Sequence, residues 1–203
     1  MKQYQINRAR IRDGKIDWEQ AALARINESQ WLDEAPIRAF ARVCYDETGL
    51  YAQLSANEEH RLARFTGTTD MVCMDSCLEL FMCPMSGDVR YFNFEFNPNG
   101  ALYLGFGQNR YDSVRQLVQD ADKTFRVQPY QEQYLWGIEF YIPVTFIRLY
   151  FPEFALESGR IIYGNFYKCG EETVQPHYFS WNRIHGDVPD FHKPQCFGKW
   201  ILQ

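Results

Sequence analysis

Residues 75–100 read DSCLELFMCPMSGDVRYFNFEFNPNG and decide the fold class, because they have the pattern of two β-strands joined by a loop. Apolar side chains recur at every second position of both strands: Leu78, Leu80 and Met82 in the first, and Phe92, Phe94 and Phe96 in the second. Successive side chains of a strand point to opposite faces, so this period predicts a sheet with one buried face. The run NPNG at 97–100 has the residue types of a turn that ends the pairing.

The facing register of these two strands brings two carboxylates together. If the strands pair with their apolar faces on the same side, Glu79 lies opposite Glu95. Like charges at facing positions destabilise a sheet unless an arginine, a bound cation or a ligand rich in hydroxyl groups satisfies them. The alternative is an outer face on which both carboxylates extend into water. Alternation alone favours that alternative, because antiparallel sheets commonly have one solvated face.

The composition predicts a single all-β domain that spans residues 1–203. Aromatic residues make up 17% of the chain, and aromatic side chains favour strands. The net charge is −5 and no basic run occurs, so nucleic acid is not an expected partner. No stretch approaches the roughly 20 apolar residues of a membrane helix, and residues 1–20 lack the apolar segment of a signal peptide. We therefore expect no membrane partner, a cytoplasmic location and reduced cysteines.

Further strands and turns extend the predicted sheet. Residues 36–45 and 50–56 predict a hairpin whose connection, DETG, has the residues of a type I turn with a glycine bulge. Residues 133–142 predict a long strand with five inward side chains: Tyr134, Trp136, Ile138, Phe140 and Ile142. Residues 111–123 predict a surface helix, and 197–202 a closing strand. Together these patterns predict an antiparallel β-sandwich, immunoglobulin-like or jelly-roll-like, with short peripheral helices.

The face of the predicted strands that points away from the core collects residue types that bind sugars. Its members are Glu79, Asn93, Glu95, Glu139, Tyr163, Asn165 and Tyr167, with Trp181 nearby in sequence order. Carboxylates and amides pair with hydroxyl groups, while aromatic rings stack on the C–H face of a sugar ring. This combination indicates a carbohydrate site, and the alternative is an ordinary exposed sheet face of mixed composition.

Two other functions stay open at this point. Glu79, Glu95 and Glu139 could supply the carboxylate pair of a glycoside hydrolase. The chain has neither the EXDXXE-like spacing of sandwich glycosidases nor a Ser-His-Asp signature, so a protein without catalytic residues is favoured. A structural or protein-interaction domain would instead have an exposed aromatic patch and no ligand in its cleft.

Cysteine and histidine spacing does not identify a metal site. Cys73, Cys77 and Cys83 lack the CxxC pairs of zinc sites, and buried thiols are common, so structural thiols are favoured. His177 and His192 could serve as ligands, but loop histidines are more often surface or structural residues. The residues alone therefore leave any metal ligand unknown.

The order of short motifs resembles the carbohydrate-binding module family 9-like domains, in the branch of stand-alone or appended domains. The matching motifs cover nearly the whole chain and are LY at 50–51, DSCLELF at 75–81, YFNFEFNPNG at 91–100, EFYIP at 139–143, GNFY at 164–167, YFSW at 178–181 and FHKPQCFG at 191–198. The resemblance implies a β-sandwich that binds a mono- or oligosaccharide without catalysis.

The resemblance also implies roles for particular residues. In the well-understood members, two tryptophans clamp a terminal sugar, acidic and amide side chains hold its hydroxyl groups, and bound calcium supports the fold. Glu79 matches the acidic sugar ligand, and Trp181 resembles the second clamp ring. The chain departs from the pattern at residues 70–74, which contain no tryptophan for the first clamp, and Arg90 is the arginine adjacent to the second strand. A sugar ligand and structural calcium are the expectations that follow.

Overall fold

The computed structural model describes residues 1–32 and 35–203 and shows an all-β chain. Its strands are β1 Gln3–Arg8, β2 Ile11–Arg12, β3 Lys15–Ile16, β4 Leu23–Ile26, β5 Glu28–Ser29, β6 Arg38–Tyr45, β7 Gly49–Asn57, β8 Cys77–Cys83, β9 Tyr91–Phe96, β10 Leu102–Gly107, β11 Val114–Arg115, β12 Gln128–Gln131, β13 Leu135–Pro143, β14 Ile161–Gly170, β15 His177–Ser180 and β16 Gly198–Leu202. The short helices are α1 Ala121–Thr124 and α2 Val144–Arg148, and 3-10 turns occupy Trp18–Gln20, Val72–Met74 and Pro194–Cys196. None of the described helices has the length and apolar character needed to cross a membrane.

Fourteen of these strands form one curled, mixed sheet, eleven of them in the order β11-β10-β9-β8-β14-β16-β1-β6-β7-β13-β12. At its flanks β15 pairs with β14, β5 with β15, and β4 with β6. The prediction of purely antiparallel pairing is wrong at β1, which runs parallel to both β16 and β6. The partners of β1 are remote from it in sequence, so local alternation carries no information about their direction.

The main hydrophobic core confirms the alternation predicted for β8 and β9. The apolar set of both strands lies there: Leu78, Leu80, Met82, Phe92, Phe94 and Phe96. Four of the five inward residues predicted for β13 join them: Trp136, Ile138, Phe140 and Ile142. Tyr134 is the exception, because it precedes β13 and half of its surface is exposed.

The opposite face of β8 and β9 is buried as well, so the expectation of a solvated outer face is wrong. Glu79 is 2% exposed and Glu95 is 5% exposed. A second hydrophobic cluster covers this face, with Val72 from the turn that precedes β8 and with Ile184 and Phe191 from loops remote in sequence. Alternation within a strand cannot reveal such a cover, because the covering residues lie outside the two strands.

Two local predictions have opposite outcomes. The hairpin predicted around DETG is confirmed: β6 and β7 pair, and the Asp46 carboxylate accepts hydrogen bonds from the amides of Thr48 and Gly49 at 2.7 and 3.1 Å. The glycine bulge is wrong, because Gly49 does not have the positive φ that such a bulge requires. The surface helix predicted for 111–123 is wrong, since that stretch contains the edge strand β11 and only the first three residues of α1. Backbone pairing of Val114 with Phe106 on β10 replaces the helix.

Candidate functional site

A cavity of about 200 Å³ lies on the covered face of the sheet, at the ends of β8, β9, β10 and β14. The residues that line it are Met71, Cys73, Glu79, Glu95, Tyr103, Arg110, Ser113, Cys169, Glu171, Tyr178, Pro189, Asp190, Phe191 and His192. Six carry a carboxyl, guanidinium or imidazole group, and three are tyrosine or phenylalanine. We identify this cavity as the candidate functional site.

Strand register builds the floor of the cavity. Glu79 on β8 faces Glu95 on β9, which confirms the predicted register, and Glu95 in turn faces Tyr103 on β10. On the other side Glu79 faces Tyr167 on β14. One row across four neighbouring strands therefore presents a tyrosine, two carboxyl groups and a second tyrosine to the same face.

The two floor carboxyl groups are strongly perturbed. Burial, and then the charge of Glu95, raises the pKa of Glu79 well above its usual value. Burial also raises the pKa of Glu95 to about 7, although Asn93 Nδ2 donates a hydrogen bond of 2.7 Å to its Oε1 atom. No lysine or arginine of the described residues forms a salt bridge with either group. Burial and the facing position of the two groups disfavour two negative charges, so the pair can both donate and accept hydrogen bonds.

The walls and rim add further polar groups. Glu171 and Asp190 contribute carboxyl groups, and Arg110 contributes an exposed guanidinium that donates to the carbonyl of Pro189 at 3.2 Å. Burial lowers the pKa of His192 to about 4, so its imidazole is neutral at pH 7, and its Nδ1 atom lies 2.8 Å from the hydroxyl of Tyr91. Acidic groups thus outnumber the basic ones around the cavity.

Three aromatic rings face the cavity: those of Tyr103, Tyr178 and Phe191. Phe191 stacks on Tyr167 with ring centroids 4.1 Å apart, and Trp31 packs against both Tyr178 and Phe191 at 5.6 Å. Neighbouring rings therefore hold the wall rings in place, which suits a preformed binding surface.

Three of the residues expected at the site lie next to the floor without lining the cavity. Asn93 holds Glu95, as described above. The side-chain amide of Asn165 makes two hydrogen bonds with the backbone of Asn182: its Nδ2 atom donates to the carbonyl at 2.8 Å, and its Oδ1 atom accepts from the amide at 2.8 Å. The hydroxyl of Tyr167 donates to the carbonyl of Phe191 at 3.2 Å. These hydrogen bonds hold Glu95, Phe191 and the backbone of Asn182 in place.

Three others lie away from it. Arg90 pairs with Asp88 at 2.6 Å outside the cavity. Glu139 accepts a hydrogen bond of 2.9 Å from Gln53 where β13 pairs with β7. Trp181 is 5% exposed and belongs to the main core, 5.8 Å from the ring of Phe166. The structure does not bring these three side chains to Glu79.

Several lining residues were missed by sequence reasoning. Tyr103 could have been found, because the alternation that places Glu95 on one face continues across the turn to β10. Glu171, Tyr178 and Asp190 come from segments remote from β8, and no local signal joins them to it. Residues 70–74 contribute Met71 and Cys73 to the lining, where the family resemblance implies a tryptophan.

The donor set near the floor does not suit calcium. Among the residues that the structure describes, one group of three side chains could hold a metal: Cys77, Glu79 and Cys169. Calcium takes six to eight oxygen ligands, whereas two of these three groups are thiols. The structural calcium implied by the resemblance therefore stays a prediction without an assigned site.

Comparison with solved structures shows the same fold in known proteins. A proposed carbohydrate-binding protein from Bacteroides uniformis has a TM-score of 0.83 at 23% identity, with 100% of this chain and 99% of that chain covered. A carbohydrate binding module family 9 from Caldicellulosiruptor kristjanssonii has a TM-score of 0.68 at 12% identity in complexes with cellotriose and with glucose. These alignments cover 100% of this chain and 94% and 96% of the two related chains.

Comparison with sequence families identifies the family of the chain. No curated protein matches the chain. The model of the family described as Carbohydrate-binding family 9 matches residues 11–202, which is nearly the whole sequence. The chain therefore belongs to carbohydrate-binding family 9.

Proposed function

We propose that this protein is a non-catalytic carbohydrate-binding domain with the β-sandwich arrangement of its family, and that its cavity holds one sugar residue, free or at the end of an oligosaccharide. The observation that carries the proposal is the row Tyr103–Glu95–Glu79 at the floor of a cavity whose wall includes the ring of Tyr178. Family membership supports it, as do the cellotriose and glucose bound by a related module.

The chemistry of the lining matches a sugar. Carboxyl and guanidinium groups of Glu79, Glu95 and Arg110 pair with ring hydroxyl groups, which both donate and accept hydrogen bonds. The rings of Tyr103 and Tyr178 offer apolar faces to the C–H bonds of the sugar. Pockets for drug-sized ligands measure roughly 300–1,000 Å³, so a cavity of about 200 Å³ suits a single ring.

Tyrosines take the place of the tryptophan clamp in this proposal. Trp181 lies in the core and residues 70–74 contain no tryptophan, so Tyr103 and Tyr178 are the rings available for stacking, with Phe191 beside them. A tyrosine ring covers less of a sugar face than an indole. We expect binding in the high micromolar to millimolar range, on the order of −4 to −6 kcal/mol.

Isothermal titration calorimetry tests the proposal with glucose, cellobiose, cellotriose and a panel of other mono- and oligosaccharides. Two substitutions in the cavity, Tyr178→Ala and Glu95→Gln, are each expected to weaken binding by about tenfold or more. Each has a matched control outside the cavity: Tyr111→Ala, at a tyrosine that is 94% exposed, and Glu139→Gln, at the carboxylate bound to Gln53. Both controls should bind as the wild type does.

Two results would overturn the proposal. The first is silence across the panel in a protein shown by circular dichroism to be folded, which would favour a structural or protein-interaction domain. The second is turnover of an oligosaccharide that disappears in both Glu79→Gln and Glu95→Gln, which would make the carboxyl pair catalytic.

A further inference from the structure

Two thiols and a carboxyl group converge beneath the cavity. Cys77 and Glu79 are two residues apart on β8 and therefore point to the same face. Cys169 on β14 lies directly opposite Cys77 in the antiparallel register. The ligand atoms of the three residues all lie within 4.8 Å of one another, and Cys169 Sγ is 3.1 Å from Glu79 Oε1.

We propose that Cys77, Cys169 and Glu79 form a binding site for Zn²⁺ or a similar thiophilic divalent cation. Two thiolates and one carboxylate match the ligand types of zinc, which is bound tetrahedrally by sulfur, nitrogen and oxygen donors. Calcium and magnesium prefer oxygen ligands alone, and iron–sulfur clusters require four cysteines in their common form. Three protein ligands leave the fourth position of zinc for water or a ligand atom.

The surroundings favour a cation at this position. The three groups are acids, each at most 2% exposed, and no described lysine or arginine forms a salt bridge with Glu79. A divalent cation would compensate the negative charge of two thiolates and a carboxylate, and its binding would release the protons of these groups.

The cavity provides the route of entry. Glu79 and Cys169 both line it, whereas Cys77 lies behind them, so the open coordination position faces the cavity. The side chain of Cys73 lines the same space, and its carbonyl accepts a weak hydrogen bond from Cys169 Sγ at 3.8 Å. A bound cation would thus contact a sugar in the cavity. Metal binding itself does not require a sugar.

Cobalt titration of the full chain tests this site in the absence of any sugar. Reduced protein freed of metal with a chelator is titrated with Co²⁺, which reports thiolate ligands through intense charge-transfer absorption and tetrahedral geometry through visible bands. We expect one Co²⁺ per chain, displaced stoichiometrically by Zn²⁺ and not by Ca²⁺. Cys77→Ser and Cys169→Ser should each remove the charge-transfer band or weaken affinity at least 100-fold, since loss of outer-shell partners alone typically costs about 10–100-fold.

Cys83→Ser is the matched control. Cys83 lies on the same strand and face, but its thiol is directed to the carbonyls of Met85 and Asp88 at 3.5 and 3.3 Å. This variant should bind Co²⁺ as the wild type does. Glu79→Gln provides a variant with both thiols intact, and it should bind more weakly with the charge-transfer band retained.

The proposal fails if the wild type shows no thiolate-to-cobalt band, or binds only at millimolar metal. It also fails if the folded Cys77→Ser and Cys169→Ser variants bind as well as the Cys83→Ser control. Circular dichroism and urea unfolding confirm that each variant is folded. Because no sugar is present, these outcomes are independent of the calorimetry that tests the proposed function.

Discussion

Replacement of Lys168 by methionine should destabilise the fold more than any surface substitution does. Lys168 is fully buried in β14, and its Nζ atom lies 3.1 Å from Glu58 Oε2 and 2.7 Å from His177 Nε2. It also donates to the carbonyl of Cys169 at 2.8 Å. Burial by itself would raise the pKa of Glu58, but the Lys168 ammonium holds that pKa below its usual value. The carboxylate is therefore kept ionised inside the protein.

The magnitude follows from what remains after the substitution. Glu58 keeps two hydrogen bonds, from Ser76 Oγ at 2.8 Å and from Trp136 Nε1 at 2.9 Å, but it loses its counter-charge. Removal of one partner of a buried ion pair costs about 3–5 kcal/mol, because the other charge is left uncompensated. Domains have total stabilities of about 5–15 kcal/mol, so this loss is a large fraction of the whole.

Urea unfolding at pH 7 measures the effect on Lys168→Met, Glu58→Gln and the double variant. Glu58→Gln removes the charge that Lys168 balances, so the two substitutions should not be additive. We expect the double variant to cost about 1–3 kcal/mol less than the sum of the single variants. A cost below about 1 kcal/mol for Lys168→Met, or strict additivity, would refute the account of a buried, charged pair.

Three further predictions concern other parts of the molecule. Burial, and then the charge of Lys168, lowers the pKa of His177 to about 4, so the unfolded state takes up more protons than the folded state between pH 6.5 and 4. The contribution of His177 to stability should therefore fall by about 3 kcal/mol as the pH is lowered through that window, and the stability of the wild type relative to His177→Gln in urea unfolding should fall by the same amount. Gly164→Ala should cost about 1–3 kcal/mol in thermal unfolding, because its Cβ would lie 2.6 Å from the Phe81 carbonyl oxygen of the neighbouring strand. Trp31→Ala should weaken sugar binding several-fold in calorimetry, because the indole supports the ring of Tyr178 and does not line the cavity itself.

Each of these has a result that contradicts it. An unchanged acid slope in His177→Gln would mean that this histidine does not titrate differently in the two states. A Gly164→Ala variant as stable as the wild type would show that β8 and β14 can move apart without cost. Equal sugar affinity in Trp31→Ala and the wild type would mean that the indole of Trp31 does not support the ring of Tyr178.

Local sequence was sufficient for the parts of the fold that short-range geometry controls. The alternation of Leu78 to Met82 and of Phe92 to Phe96 predicted the core face of β8 and β9, and the register of Glu79 with Glu95 followed from the same pattern. A strand places its side chains with a period of two, and a hairpin joins neighbours in the chain, so both can be deduced from consecutive residues. The position of the hairpin turn at DETG followed from residue types for the same reason.

Tertiary structure alone decided which of those residues share a site. The acidic and amide residues of β8 and β9 were visible in the sequence, but their burial depends on loops that carry Val72 and Phe191 across that face. Trp181 has the residue type of a sugar clamp, yet its ring packs in the main core against Phe166. The convergence of Cys77 with Cys169 requires β14 to pair with β8 across nearly half of the chain. The sequence by itself determined where the strands lie and which side chains each strand carries. Long-range strand pairing decided which of these side chains meet, because contact between remote segments depends on the packing of the whole chain and not on local periodicity.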